Sequence, residues 1–111
     1  MTSLTLYGLK NCDTCKKALK TLAENGKKAI FVDIRAEADL ANKVPTWLSA
    51  VSSEVLINRR STTWRNLNEA ERARAPEALL IEHPTLIKRP VIEAGKTVHI
   101  GWAKEVQATF A

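Results

Sequence analysis

The feature that most constrains the fold is a strand, a turn and an amphipathic helix that open the chain and lead into a second strand. Thr5 to Leu9 is a short apolar run rich in strand formers, and Gly8 to Asn11 supplies turn residues. Ala29 to Ile34 has the composition of a mostly buried strand. Because strands joined through a helix normally form a right-handed parallel pair, the chain is predicted to begin with a βαβ unit.

The helix of this unit is predicted to begin at Asp13 and to stop at Asn25-Gly26, a good C-terminal signal. Its apolar residues recur at helical spacing, and they are Cys15, Ala18, Leu19, Leu22 and Ala23. The pattern therefore predicts that Cys15 lies on the inward face of the helix.

The middle of the chain is predicted to be mainly helical. Ala36 to Ala50 has helical composition, although Pro45 interrupts it. Further on, Asn68 and Glu71 have the spacing of a capping box, and Pro76 ends that helix and begins the next one.

The last part of the chain predicts two strands, Pro90 to Glu93 and Thr97 to Ile100, around a turn at Ala94-Gly95-Lys96, and an amphipathic end helix after Gly101. This order predicts an α/β, thioredoxin-like fold, βαβ and then ββα, with an inserted helical segment at about residues 36–86. A length of 111 residues suits one domain spanning 1–111.

Composition and net charge limit where the protein can be located and what it can bind. Hydrophobic residues make up 45% of the chain, but no apolar run approaches the length of a membrane span. Met1-Thr2-Ser3-Leu4 lacks an export pattern. Together these observations predict a cytoplasmic protein without membrane contact. The net charge of +5 favours anions such as phosphate, an oxyanion or the carboxylates of glutathione, although it also suits a basic surface that serves only solubility. The three tryptophans do not interleave with basic residues, so no direct nucleic-acid contact is expected.

The chemistry-bearing motif is Cys12-Asp13-Thr14-Cys15 at the mouth of the first helix. Free N–H groups at a helix N-terminus stabilise a thiolate, which predicts that Cys12 is a nucleophile with a pKa below the free value of about 8.5. Lys10 and Lys16 add positive potential, whereas Asp13 opposes them. Cys15, one turn on, is the natural resolving thiol for a mixed disulfide at Cys12.

Two other interpretations of this motif stay open. Half of a zinc site also presents two such cysteines, but only His83 and His99 remain as further nitrogen ligands, and neither has metal-ligand spacing, so no metal is expected. Alternatively, Cys15 is only a small core residue, and Cys12 works as a single thiol with glutathione as the resolving partner. No bound cofactor is predicted, and glutathione is the expected co-substrate.

Three sequence blocks together resemble the arsenate-reductase-related ArsC/Spx family of the thioredoxin-like superfamily, and most of all its YffB-type branch. They are Tyr7-Gly8-Leu9-Lys10-Asn11-Cys12-Asp13-Thr14-Cys15-Lys16-Lys17-Ala18, Asn58-Arg59-Arg60-Ser61-Thr62-Thr63-Trp64 and His83-Pro84-Thr85-Leu86-Ile87-Lys88-Arg89-Pro90-Val91. The blocks occur in the family's order and cover nearly the whole chain. The resemblance implies a glutathione-dependent thiol reductase.

The same resemblance implies a set of site residues. Cys12 is then the nucleophile, and a cis peptide bond precedes Pro90 beside it. Arg60 and Arg89 bind an anionic substrate group, a role that suits the planar guanidinium fork. With Lys10 and Asn11 next to the thiol, and with Pro90, these residues form the predicted substrate-binding set.

The chain also departs from the arsenate reductases that it resembles. Those enzymes place a histidine four residues before the cysteine and an arginine four residues after it, where this chain has Gly8 and Lys16. Their later arginine has no counterpart in Ile100-Gly101-Trp102, and either Arg59 or Arg60 can fill the middle position. These differences weaken the prediction of arsenate reduction.

Three functions follow, in decreasing order of support. The first is a thiol–disulfide reductase that acts on glutathione mixed disulfides or on small or protein disulfides. The second is an Spx-like redox-sensing transcriptional regulator, in which the two thiols form a switch that controls contact with RNA polymerase. The third is glutathione-coupled arsenate reduction.

Overall fold

The structure is a computed structural model that describes residues 4–36 and 38–110. It divides into two compact units. The first, the sheet unit, combines the chain up to Ala38 with the chain from Arg89 onward, and the second, the helical unit, is Asp39–Lys88. The helical unit thus forms an insertion in the sequence of the sheet unit.

Among its described residues, the sheet unit has four strands and two helices. They are β1 (Leu4–Gly8), α1 (Asp13–Glu24), β2 (Ala29–Asp33), β3 (Val91–Ala94), β4 (Thr97–Ile100) and α7 (Lys104–Thr109). The strand order is β2-β1-β3-β4, with β1 parallel to β2 and with antiparallel pairs on the other side. This βαβ and ββα topology is the predicted thioredoxin-like α/β fold.

One face of the sheet packs against both helices. Leu6 and Ile92 are paired across β1 and β3, and they lie in one core cluster with Cys15, Leu22 and Phe110. The predicted inward position of Cys15 is confirmed. Burial of these apolar side chains is what holds α1 and α7 to the sheet.

Two details of the predicted βαβ unit were wrong. Ala29–Asp33 is not a mostly buried strand, because β2 lies at the edge of the sheet and leaves Ile30 61% exposed. Ala23 is exposed, although the helical period placed it with the inward residues. It lies in the last turn of α1, and the buried face of the helix ends one residue earlier, at Leu22.

The helical unit consists of short helices. They are α2 (Leu40–Ala50), α3 (Ser53–Leu56), α4 (Thr62–Asn66), α5 (Glu69–Arg72), α6 (Pro76–Glu82) and a 3₁₀ turn (Pro84–Leu86). The helices α2 and α6 pack together, and Val44, Trp47 and Leu80 are fully buried. An antiparallel bridge joins Ile57, which follows α3, to Ile87, which follows the 3₁₀ turn.

Local signals in the sequence account for several of these boundaries. The capping box at Asn68 is confirmed, since Oδ1 of Asn68 accepts the Glu71 N–H at 2.8 Å and the Glu71 carboxylate accepts the Asn68 N–H in return. Pro76 begins α6 as predicted. The helix expected from Ala36 begins later, at Leu40, because the Asp33 carboxylate accepts the Ala36 N–H and holds a turn there.

Some predictions fall on residues 1–3 and 37, which lie outside the described residues; the reading of Met1-Thr2-Ser3 is one of them. Within the described ranges, none of the helices has both the length and the apolar character that a bilayer span requires. The cytoplasmic location stays a prediction.

Candidate active site

Cys12 occupies the position just before α1. It is the N-cap residue, with extended backbone dihedrals, and its carbonyl accepts the Lys16 N–H at 3.0 Å as the first bond of the helix. The Cys12 N–H donates to the Leu9 carbonyl at 3.2 Å, which closes the turn that follows β1. The side chain is partly exposed. The sequence therefore presents this thiol to solvent at the positive end of a 12-residue helix.

Cys15 has the opposite environment. Its side chain is 1% exposed, and both cysteines carry free thiols. Burial, reinforced by the hydrogen bond to the Cys12 side chain, raises the pKa of Cys15 to about 12, against the smaller lowering effects of the Leu9 N–H and the Arg89 charge. The thiol of Cys15 is thus protonated at neutral pH and in hydrogen-bonding contact with Cys12.

Gly8, the last residue of β1, provides the space for the Cys15 sulfur. A Cβ atom at position 8 would overlap Sγ of Cys15 and would lie 3.2 Å from its Cβ. The strand and the helix approach so closely here that only a glycine fits beside the second thiol. This contact gives a physical reason why the histidine of arsenate reductases has no place at Gly8 in this chain.

Arg89 and Pro90 enter the sheet unit just before β3. The Arg89–Pro90 peptide bond is cis, as the resemblance implies. The Pro90 carbonyl accepts the Gly101 N–H at 2.8 Å, and Gly101 has a φ of 80°, which a glycine adopts readily. The guanidinium of Arg89 lies close enough to Cys15 to act on its pKa. The structure thus brings one predicted anion-binding residue to the thiol pair.

Lys10 and Asn11 lie in the turn before Cys12, where both are exposed. They line a groove of about 420 Å³ together with Arg35, a residue that the sequence analysis did not select. Arg35 follows β2, whose end lies beside the end of β1 in parallel register. Since ligands often bind at the carboxyl ends of parallel strands, this rule could have identified it.

Arg60 belongs to the helical unit, and its role stays a prediction. Its backbone N–H donates to Oδ1 of Asn58 at 3.1 Å, which shapes the loop before α4. The neighbouring guanidinium of Arg59 stacks on Trp64, 5.4 Å from the ring centroid. Of the two arginines, Arg59 is therefore the one held by an aromatic contact.

The histidines weighed as zinc ligands lie in different units. His99 packs edge-on against Phe110, and His83 lies beside Glu82, with 3.9 Å between the imidazole and the carboxylate. In the part of the chain that the structure describes, no three His, Cys, Asp or Glu side chains are grouped to hold a metal ion.

The sheet order and the thiol pair at the start of α1 define a thioredoxin-like protein. The chain belongs to the ArsC family, whose model matches residues 7–110. Membership confirms the predicted family, and the strand order agrees with the predicted fold.

Individual relatives support the same placement. An uncharacterized protein of Haemophilus influenzae is 42% identical over 97% of this chain and 99% of its own length. The solved structure of a protein named YFFB is 32% identical, has a TM-score of 0.87 and covers 96% of this chain and 97% of its own. The global transcriptional regulator Spx 2 of Bacillus anthracis is 28% identical, over 92% of this chain and 82% of the regulator.

Proposed function

We propose that this protein is a thiol–disulfide reductase that uses glutathione as its reductant, with Cys12 as the nucleophile and Cys15 as the resolving thiol. The observation that carries the proposal is the pairing of a partly exposed thiol at a helix N-terminus with a buried, protonated thiol one turn behind it. The first is accessible to a substrate disulfide, and the second is in place to attack the sulfur of the first.

The reaction proceeds by two exchanges. The Cys12 thiolate attacks one sulfur of a substrate disulfide, forming a mixed disulfide, while the other substrate sulfur leaves as a thiolate and takes up a proton. Cys15 then loses its proton and attacks the Cys12 sulfur, which forms the Cys12–Cys15 disulfide and releases the second substrate thiol. Two glutathione molecules restore both thiols and leave as glutathione disulfide.

The arginine side chains are suited to binding an anionic substrate of this reaction. The Arg89 charge acts on Cys15, and an arginine suits the carboxylates of glutathione or of a peptide disulfide. For the middle arginine of the family, Arg60 is the better candidate, since the guanidinium of Arg59 is stacked on Trp64. We assign Arg89 to substrate binding, with Lys10, Asn11 and Pro90 as further members of the site, and Arg60 stays a predicted substrate-binding residue on the resemblance.

The test is steady-state reduction of the mixed disulfide between glutathione and 2-mercaptoethanol, with glutathione, glutathione reductase and NADPH. Cys12→Ser is expected to reduce turnover to the uncatalysed background. Cys15→Ser, the matched control, is treated with the same mixed disulfide in the absence of free glutathione, and it should then accumulate one glutathione per chain at Cys12, seen by intact mass, because no second thiol is present to resolve it. A wild-type chain that shows no turnover although its Cys12–Cys15 disulfide forms would rule out the reductase.

That outcome would favour the second candidate, a redox-sensing transcriptional regulator. Its support is the 28% identity to the regulator Spx 2 over most of both chains. In this function the Cys12–Cys15 disulfide forms once per oxidation event and changes a binding surface, with RNA polymerase as the partner to test. Stoichiometric oxidation with altered polymerase binding, in place of catalytic turnover, distinguishes the two.

A further inference from the structure

A groove at the turn that precedes Cys12 is lined by two cationic side chains, Lys10 and Arg35, and by one carboxylate, Asp33. It has a volume of about 420 Å³ and is lined by Leu9, Lys10, Asn11, Asp33, Arg35 and Ala36. All six residues belong to the sheet unit; Asp33 is the last residue of β2, and the other five follow the paired ends of β1 and β2. The groove therefore rests on parallel strands, at the edge of the sheet where such folds commonly bind ligands.

The groove begins close to Cys12. The hydrogen bond from the Cys12 N–H to the Leu9 carbonyl closes a four-residue turn, and such turns hold their end Cα atoms within about 7 Å. Lys10 and Asn11 are the two central residues of that turn. A molecule whose sulfur reacts at Cys12 can therefore extend into this groove over the length of one or two residues.

The charged side chains of the groove differ in the partners they have. The Asp33 carboxylate accepts the N–H groups of Arg35 at 2.8 Å and Ala36 at 3.1 Å, so its oxygen is directed at the backbone of the turn. Arg35 and Lys10 are both exposed, and both line the groove. Within residues 4–36 and 38–110, neither cation has an ion-pair partner.

We infer that this groove binds a carboxylate of the glutathionyl group that reacts at Cys12, with Lys10 and Arg35 as its cationic partners and the Asn11 amide as a further donor. The inference rests on the proposed function and adds Arg35 to its binding residues. Arginine is suited to this task because its guanidinium can donate two parallel hydrogen bonds to one carboxylate.

The test compares Arg35→Gln with Lys20→Gln, which removes the same charge from the exposed face of α1 outside the groove. With the glutathione mixed disulfide as substrate, Arg35→Gln is expected to raise KM about three- to tenfold with little change in kcat, and Arg35→Lys to restore part of the loss. Lys20→Gln should leave KM near the wild-type value. Equal effects of the two Gln variants would overturn the inference.

A second arm identifies the ligand group. If the substrate is prepared with glutathione diethyl ester, both glutathione carboxylates are blocked, and Arg35→Gln should no longer raise KM. An equal effect on ester and free acid would show that Arg35 acts on something other than a carboxylate. Either failure leaves wild-type turnover intact, so the reductase function would survive it.

Absence of wild-type turnover would instead remove the proposed function, and direct binding then decides the inference. S-methylglutathione is titrated into the Cys12→Ser chain and followed by NMR. Shifts at the Leu9, Lys10 and Ala36 amides that weaken in Arg35→Gln would support the groove. No shifts at these amides would overturn it.

Discussion

The sheet unit and the helical unit reach a defined structure by different means. In the sheet unit, positions far apart in sequence meet in register, as Leu6 meets Ile92, and one helix lies so close to a strand that Gly8 touches Cys15. In the helical unit, a four-residue helix such as α5 begins at a cap formed by a neighbouring side chain, that of Asn68. The comparison teaches that the reactive thiols are placed by long-range contacts, which are less tolerant of change than local caps.

The largest expected loss of stability follows from truncating a buried leucine in the core of either unit. Leu22 in the sheet unit and Leu80 in the helical unit are both fully buried, so Leu→Ala at either position should lower the free energy of unfolding by about 2–5 kcal/mol. Urea denaturation measures this. The controls Ile30→Ala and Val55→Ala delete exposed side chains and should cost less than about 1 kcal/mol. A large loss in only one unit would show that the other core is poorly packed.

The next prediction tests the close approach of Gly8 in β1 to Cys15 in α1. Gly8→Ala introduces the Cβ that overlaps Sγ of Cys15, and overpacking of this kind should destabilise the fold by about 1–3 kcal/mol and slow formation of the Cys12–Cys15 disulfide. Removing the sulfur as well, in Gly8→Ala with Cys15→Ala, should cost less than the two single changes added together. Strict additivity in this double-mutant cycle would mean that the two side chains do not compete for space.

A third prediction concerns pH. Because burial raises the pKa of Cys15 to about 12, the thiolate that resolves a mixed disulfide becomes more abundant with every step of pH up to that value. The rate of intramolecular resolution should therefore rise about tenfold per pH unit between pH 7 and 9, equivalent to about 1.4 kcal/mol per unit.

This rate can be followed as release of the coloured thiol from a 2-nitro-5-thiobenzoate mixed disulfide at Cys12. Cys15→Ser is the control and should release none. A rate that levels off near pH 9 would show that Cys15 titrates as an ordinary exposed thiol and would contradict the prediction.

The smallest expected change in the free energy of unfolding is at a helix cap of the helical unit. Asn68→Ala deletes the side-chain oxygen that accepts the Glu71 N–H, and loss of such a cap should cost about 1 kcal/mol. Asn66→Ala, at the end of α4 and not at a cap, is the matched control and should change stability by less than about 0.5 kcal/mol. If the cap costs more than the change at Gly8, the ranking of long-range over local contacts is wrong.

The same distinction explains what the sequence could predict. The capping box at Asn68, the start of α6 at Pro76 and the inward face of Cys15 were predictable, because each depends on residues within one or two turns of the chain. The edge position of β2 was not, since strand order depends on which strands pair, and nothing local in Ala29–Asp33 encodes it.

The candidate site divides in the same way. Cys12 was identified from its spacing to Cys15 and its place before a helix. Arg35 and the contact between Gly8 and Cys15 were missed, because both depend on how the end of β1 meets β2 and α1 in space. For Arg60 the prediction still rests on the resemblance alone.

The closeness of Gly8 to Cys15 also bears on how such chains diverge. If the thiol of Cys15 and a side chain at position 8 exclude each other, the two positions can change only together, or position 15 must first take a smaller residue. A lineage that gains a histidine at position 8 must first give up bulk at position 15. Across related sequences, glycine at the first position should therefore accompany cysteine at the second more often than chance, which makes a dithiol site and a histidine-bearing site alternative evolutionary endpoints of one scaffold.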